Sequence, residues 1–174
     1  DARARRSRLF NGSRPLVRKY EASDAGFLWA AYQRGGFGLP EGLSQSEFLE
    51  AVAEKFGGVD LIWIIEDDNS NFRAGRGQVA VVTLTTDSWT VEPRGYFMPW
   101  ATGLNALRSM VAFFHMIRYQ KDIGVCVVKA TEAEAKHLRK MSRYGVLFPR
   151  GRIPFGSPAG DLFMFSIDGK KPAS

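Results

Sequence analysis

The stretch FMPWATGLNALRSM, Phe97 to Met110, holds the residues of this 174-residue chain best arranged for chemistry. It reads as a strand end, a tight turn and the opening turns of a helix. Amide N–H groups without acceptors at such a helix mouth, at the positive end of the helix dipole, attract phosphate and other anions. The turn carries one glycine, Gly103, whereas close backbone approach to phosphate oxygens ordinarily takes more than one. Thr102 is more simply a helix cap.

A second set of residues is electrostatic. Residues 1–19 hold six Arg and one Lys against Asp1, a net of +6, while the rest balances 17 basic against 17 acidic residues. The excess charge therefore sits on an arm. Arg3, Arg5, Arg6 and Arg8 are its expected contacts with phosphates, an acidic protein surface or anionic lipid. The arm has no aromatics at stacking intervals, so contact would be with backbone charge rather than bases. Farther on, Lys136 to Arg152 contains six basic residues and His137 but no acid. There, Lys136, Arg139, Lys140 and Arg143 share one helical face by their three- and four-residue spacing. They would meet a ligand phosphate, nucleic acid or an acidic partner. A solvated surface is the plainer reading of both sets.

Other chemistries lack their parts. His115 and His137 have no nearby cysteine or acidic cluster, so no zinc site is expected. The acids Glu66 to Asp68 read as a strand end and turn. There is no serine nucleophile elbow and no Walker loop, and Gly75 to Gly77 is a turn. The single cysteine, Cys126, excludes an internal disulfide, and its apolar setting GVCVV predicts packing rather than reactivity.

These residues need elements to hold them. The chain is long enough for one domain with a full core, expected over 16–170, with a flexible basic arm at 1–15 and a tail at 171–174. No apolar run reaches the roughly 20 residues of a membrane helix, and no secretory signal core is visible. A start at Asp1 rather than Met fits a trimmed, processed or incomplete chain.

PLVRKYEA predicts a first strand, and Ser23 or Asp24 would cap a helix through DAGFLWAAYQRGG. Ser44 with Glu47 forms a capping box for a second helix. VDLIWIIED is a buried strand, QVAVVTLTTD and SWTVEPRGYFMPW are two more, and a helix follows from Thr102 with Leu104, Leu107, Val111, Phe114 and Ile117 on its apolar side. Then come the strand IGVCVVKAT, a helix boxed by Thr131 and Glu134, and a closing pair, VLFPRGRIPF and DLFMFSID. The order β-α-α-β-β-β-α-β-α-β-β predicts an α/β fold: a mixed, mostly antiparallel sheet with helices on both faces.

This order, with a strand ending in a turn before the third helix of the domain, resembles the GNAT superfamily, the Gcn5-related acyl-CoA N-acyltransferases. KHLRKMSRYGVLF is similar to that family's fourth helix, which ends in an aromatic and a glycine. FMPWATGLNALRSMVAFF further resembles GNAT-like proteins of tailed phages and prophages. The resemblance implies that strand end and helix mouth hold the pyrophosphate of acetyl-CoA, which places Met98, Trp100, Thr102, Gly103, Leu104, Asn105 and Ala106 at the cofactor.

The family pattern of Arg or Gln, two residues, Gly, one residue, and Gly or Ala is not met in either register. One puts Thr102, Asn105 and Leu107 at its fixed positions, the other Trp100, Gly103 and Asn105. The resemblance further implies a strand carboxylate as base, for which Glu92 is best placed, and a tyrosine on the fourth helix as acid. That position holds Met141, which cannot donate a proton, and Tyr144 is its nearest substitute.

Two functions follow. One is an acyltransferase acting on an amine of a small molecule or protein. The other is a catalytically inert, virion-associated or structural protein of the same fold, holding DNA or an acidic protein through its basic arm. The expected setting is the host cytoplasm or a phage particle.

Overall fold

Local capping starts several elements as the sequence predicts. The backbone N–H of Ser44 donates to Glu47 Oε2 at 2.7 Å while the Glu47 N–H donates back to Ser44 Oγ. Thr131 and Glu134 form the same reciprocal box, each satisfying donors a helix start leaves unpaired. Asp24 behaves otherwise. It is the third residue of a 3-10 turn, Ala22–Asp24, and its carboxylate accepts the Glu21 N–H at 2.8 Å rather than capping the following helix.

The computed structural model describes residues 1–11, 13–35, 37–55, 62–67, 77–87, 90–98, 101, 103–120, 125–158 and 160–167. Its elements are α1 (Ala2–Phe10), β1 (Leu16–Lys19), α2 (Ala25–Tyr32), α3 (Gln45–Lys55), β2 (Ile62–Asp67), β3 (Gly77–Asp87) and β4 (Thr90–Phe97). They continue with α4 (Leu104–Ile117), β5 (Val125–Ala130), α5 (Glu132–Leu138), β6 (Phe148–Ser157) and β7 (Gly160–Ser166). Hydrogen-bonded strand neighbours follow the order β1-β2-β3-β4-β5-β7-β6. The pairs β1/β2, β2/β3, β5/β7 and β6/β7 are antiparallel, and β4/β5 is parallel. The expected α/β class with a mostly antiparallel mixed sheet is what the chain adopts.

The chain forms two compact units. The first comprises Pro15–Thr85 and Arg94–Ser109. Its strand β2 is buried at Ile62, Trp63, Ile64 and Ile65, which accounts for a continuous apolar run in place of alternation. Around Ile62 and Ile64 gather Leu28, Phe37, Phe48, Val52, Met98 and Ala101. Tyr32 stacks on Phe48 with ring centroids 4.7 Å apart, and Phe37 lies 4.5 Å from Tyr96. Phe37 takes a left-handed φ of 72°, uncommon for a bulky side chain. Lys55 Nζ holds that turn by donating to the carbonyls of Phe37 and Gly38, both at 2.8 Å.

The second unit comprises Asp1–Arg14, Thr86–Pro93 and Met110–Ser174. Val111, Phe114, Ile117, Cys126, Leu138, Met141, Leu147 and Phe165 are buried in it. Its β4–β5 ladder consists of two pairs, Thr90↔Val125 and Val91↔Cys126.

Two further differences from expectation lie in this unit. Where the sequence predicts a flexible arm, residues 2–10 form α1. Asp1 Oδ1 accepts the Arg3 N–H at 2.8 Å at one end, and Asn11 in the left-handed region returns its N–H to Ser7 O at the other. Arginine and alanine are good helix formers, so two caps suffice to frame the segment. The single predicted helix after Thr131 is also split, into α5 and a 3-10 helix over Arg139–Tyr144 that ends at left-handed Gly145.

Candidate functional site

The strand end and helix mouth singled out in the sequence lie together in the first unit. Met98 is buried against the core, and its carbonyl accepts the Ala101 N–H at 2.8 Å, closing a tight turn. Gly103 follows with φ 55°, and its carbonyl accepts the first α4 bond, from the Leu107 N–H at 3.1 Å. The amides of Leu104, Asn105 and Ala106 therefore have no acceptor within the helix. A Cβ on Gly103 would meet nothing within 4 Å, so glycine answers a backbone demand here, the left-handed φ. Leu104 is 54% exposed and gives the mouth an apolar rim. Trp100 and Thr102 lie outside the described residues.

Behind this mouth sits a contact that the sequence reading missed. Arg108 donates from Nε to Asp67 Oδ2 at 2.9 Å and from Nη2 to Asp67 Oδ1 at 3.1 Å, with both residues buried. This bidentate pair ties the second turn of α4 to the end of β2. The acids read as a turn are thus divided: Asp67 holds Arg108, while Glu66 accepts from Arg18 Nη2 at 2.6 Å. Asp68 lies outside the described residues.

The first unit also has a cleft of about 570 Å³ lined by Trp29, Tyr32, Gln33, Gly35, Leu39, Glu41, Gly42 and Leu43. Nothing in the sequence reading marked it. Tyr32 shapes its floor, donating its hydroxyl to the Pro40 carbonyl and accepting the Leu43 N–H at 3.0 Å.

The two catalytic candidates belong to the second unit. Glu92 is on β4, as expected, and is half-buried beside Lys129 on β5, whose Nζ lies 3.5 Å from Oε2. Burial, and after it the charge of Glu92, pushes the Cys126 thiol up to about 12. Tyr144 ends the 3-10 helix half-buried. Its carbonyl accepts a bond from the Arg6 guanidinium, and the Gly145 carbonyl accepts one from Arg118 Nη1 at 3.3 Å. Two cations thus meet the negative end of that helix. Met141 is buried.

The predicted basic residues Arg3, Arg5, Arg8, Lys136, Arg139, Lys140 and Arg143 are exposed, whereas Arg6 is docked on Tyr144. The helix changes to 3-10 at Arg139, so the α-helical spacing behind the predicted shared face ends there. Lys140 and Arg143 eclipse at three residues per turn. Arg139 instead lies over the Phe163 ring at 4.8 Å and 3.4 Å from Glu132.

His115 receives Arg14 Nη2 at its Nδ1, 3.0 Å away. Burial, with the charges of Arg14, Arg6 and Arg118, pushes its pKa down to about 4, so the ring is neutral at pH 7. Among the described residues, no group of three or more His, Cys, Asp or Glu converges to hold a metal, and no helix is long and apolar enough to cross a membrane.

Comparison with solved structures identifies relatives of the fold. The chain is similar to the spermidine N-acetyltransferase of Vibrio cholerae in complex with CoA and spermine, with a TM-score of 0.60 and 13% identity over 88% of this chain and 95% of that one. It is also similar to the spermidine/spermine N-acetyltransferase SpeG of Vibrio cholerae in complex with manganese ions, with a TM-score of 0.60 and 14% identity over 88% of this chain and 92% of that one. Those enzymes belong to the GNAT superfamily, so the fold expected from the resemblance is the fold found. No protein-family model matches the sequence, and no curated protein matches it.

Proposed function

We propose that this chain is an acyl-CoA N-acyltransferase of the GNAT type that passes an acetyl or other acyl group to a small-molecule amine. The observation that carries this reading is the corner from Met98 to Ala106. A buried strand end, a left-handed glycine and three helix-mouth amides that have no acceptor within α4 form an anion-holding geometry, in a fold shared with acetyltransferases.

In this reading the amides of Leu104, Asn105 and Ala106 take the pyrophosphate of CoA. Met98 and Gly103 shape the turn, and the resemblance assigns Trp100 and Thr102 to the cofactor as well. Bound acetyl-CoA supplies an activated thioester. The resemblance assigns to Glu92, directly or through water, the proton that an attacking amine would lose, and to Tyr144 the proton that a leaving thiolate would gain. The cleft at Trp29, Tyr32 and Glu41 offers aromatic faces and a carboxylate, a setting that attracts organic cations. A polyamine of the kind bound by the Vibrio enzyme is therefore the first acceptor to test.

Thermal unfolding with acetyl-CoA tests the reading. A ligand at 100 times its dissociation constant adds about 2.7 kcal/mol of stability. Turnover of spermidine or spermine should fall about a hundredfold in Glu92→Gln and in Tyr144→Phe, while the acetyl-CoA shift persists. No shift at saturating acetyl-CoA overturns the proposal.

One observation favours a second reading, a catalytically inert, phage-type protein of the same fold. Met141, at the position where the resemblance implies a proton donor, is 2% exposed and part of the core. This reading predicts neither a shift nor transfer to any amine.

A further inference from the structure

The folding of α1 onto the 3-10 helix brings together two basic segments far apart in the chain. Arg6 donates to the carbonyl of Tyr144, 138 residues away, and a Cβ on Gly145 would stand 3.1 Å from Ala2 Cβ. With Ala2 and Arg6 turned to this contact, Arg3, Arg5 and Arg8 are exposed on α1 together with the uncharged Ala4 and Ser7. Lys136, Lys140 and Arg143 are exposed on the partner segment.

The acids of these elements are already engaged. Asp1 caps the Arg3 amide, Glu132 meets Arg139, and Glu134 caps Thr131. The other two cations of the Lys136–Arg152 run are engaged as well: Arg152 pairs with Asp161 and Arg150 bonds Ser166.

We infer that Arg3, Arg5, Arg8, Lys136, Lys140 and Arg143 form one surface that binds the phosphate backbone of duplex nucleic acid without reading its sequence. The chemistry separates this partner from the other polyanions. An acidic protein would dock on an apolar centre ringed by charge, yet the large exposed apolar side chains among the described residues, Leu16, Leu104, Tyr119 and Ile153, lie on neither basic segment. A membrane-bound helix would bury an apolar face in lipid, but Leu9 and Phe10 of α1 are half-buried in the protein. Dispersed cations without apolar anchors fit regularly spaced phosphates. The surface owes nothing to acyl transfer and stands whether or not the chain is an enzyme.

Fluorescence anisotropy of a labelled random-sequence duplex tests this on the full chain. Each neutralised phosphate contributes about −0.9 to the slope of log affinity against log salt, so six cations give about −5, and affinity falls about a thousandfold between about 50 and 200 mM salt. The triple variant R3S/R5S/R8S and the triple variant K136S/K140S/R143S should each lose about half of that slope. Replacing Arg3, Arg5 and Arg8 by lysine should retain it, and Arg34→Ser, an exposed cation of the other unit, should leave it unchanged. Circular dichroism melts of each variant confirm the fold, and the lysine variant keeps the charge test valid if a serine triple melts early. Absent binding at the lowest salt, a slope lost from one triple alone, or tighter binding to polyglutamate or phosphatidylserine vesicles than to the duplex would overturn the inference.

Discussion

Arg108 grips Asp67 through two hydrogen bonds, of 2.9 and 3.1 Å, with both side chains inside the protein. The bond pattern matters more than the charge. Desolvating two ions costs several kcal/mol each, and only bidentate geometry with satisfied donors offsets this. The pair fixes the start of α4, and hence the direction in which the amides of Leu104, Asn105 and Ala106 point.

Removing one partner should therefore cost more than removing both. Arg108→Met takes both of these bonds from a buried carboxylate and should destabilise by about 3–5 kcal/mol. The double variant Arg108→Met with Asp67→Leu should recover most of that loss. Urea unfolding of the single and double variants reads the coupling, and additive losses would show that the pair is not the joint described here.

Gly103 isolates backbone strain from packing. With φ at 55° and open space where a Cβ would go, Gly103→Ala should cost about 1–2 kcal/mol through the left-handed backbone alone. Gly103→Asn should cost less, because asparagine tolerates that region. Equal losses in urea midpoints would mean that space, not φ, selects glycine.

His115 makes stability depend on pH in a predictable direction. Its folded pKa, about 4, lies below the ordinary 6.5. An unfolded chain therefore binds a proton in this window that the folded chain does not. The contribution is fully present above about pH 6.5 and is lost as pH falls towards 4. Partial exposure limits it to about 1 kcal/mol. Melting temperatures from pH 7 to pH 4 should fall less for His115→Gln than for the natural chain, and parallel curves would refute the assignment.

Cys126 should be inert while the protein is folded. It is 2% exposed, and its thiol is pushed up to about 12, first by burial and then by the charge of Glu92. The thiolate is the reactive form, so a disulfide reagent should modify it only as fast as the chain opens and fully in denaturant. Glu92→Gln should ease ionisation slightly without exposing the sulfur. Rapid native labelling would contradict the burial.

The sequence by itself determined the features whose causes lie within a few residues. Ser44 with Glu47 and Thr131 with Glu134 announced two helix starts because capping bonds span three positions. The run at Ile62–Ile65 announced a buried strand because polarity never alternates there. Gly103 marked the turn because its φ suits a residue without a Cβ. Tertiary structure alone decided which charges meet. Arg108 finds Asp67 across 41 residues, Arg18 finds Glu66 across 48, and Arg6 finds the Tyr144 carbonyl across 138. No local pattern selects such partners, because a guanidinium can pair with any acceptor the fold delivers and only chain geometry delivers one. For the same reason a basic stretch that reads as a solvated arm becomes a helix with one docked arginine and three turned to solvent.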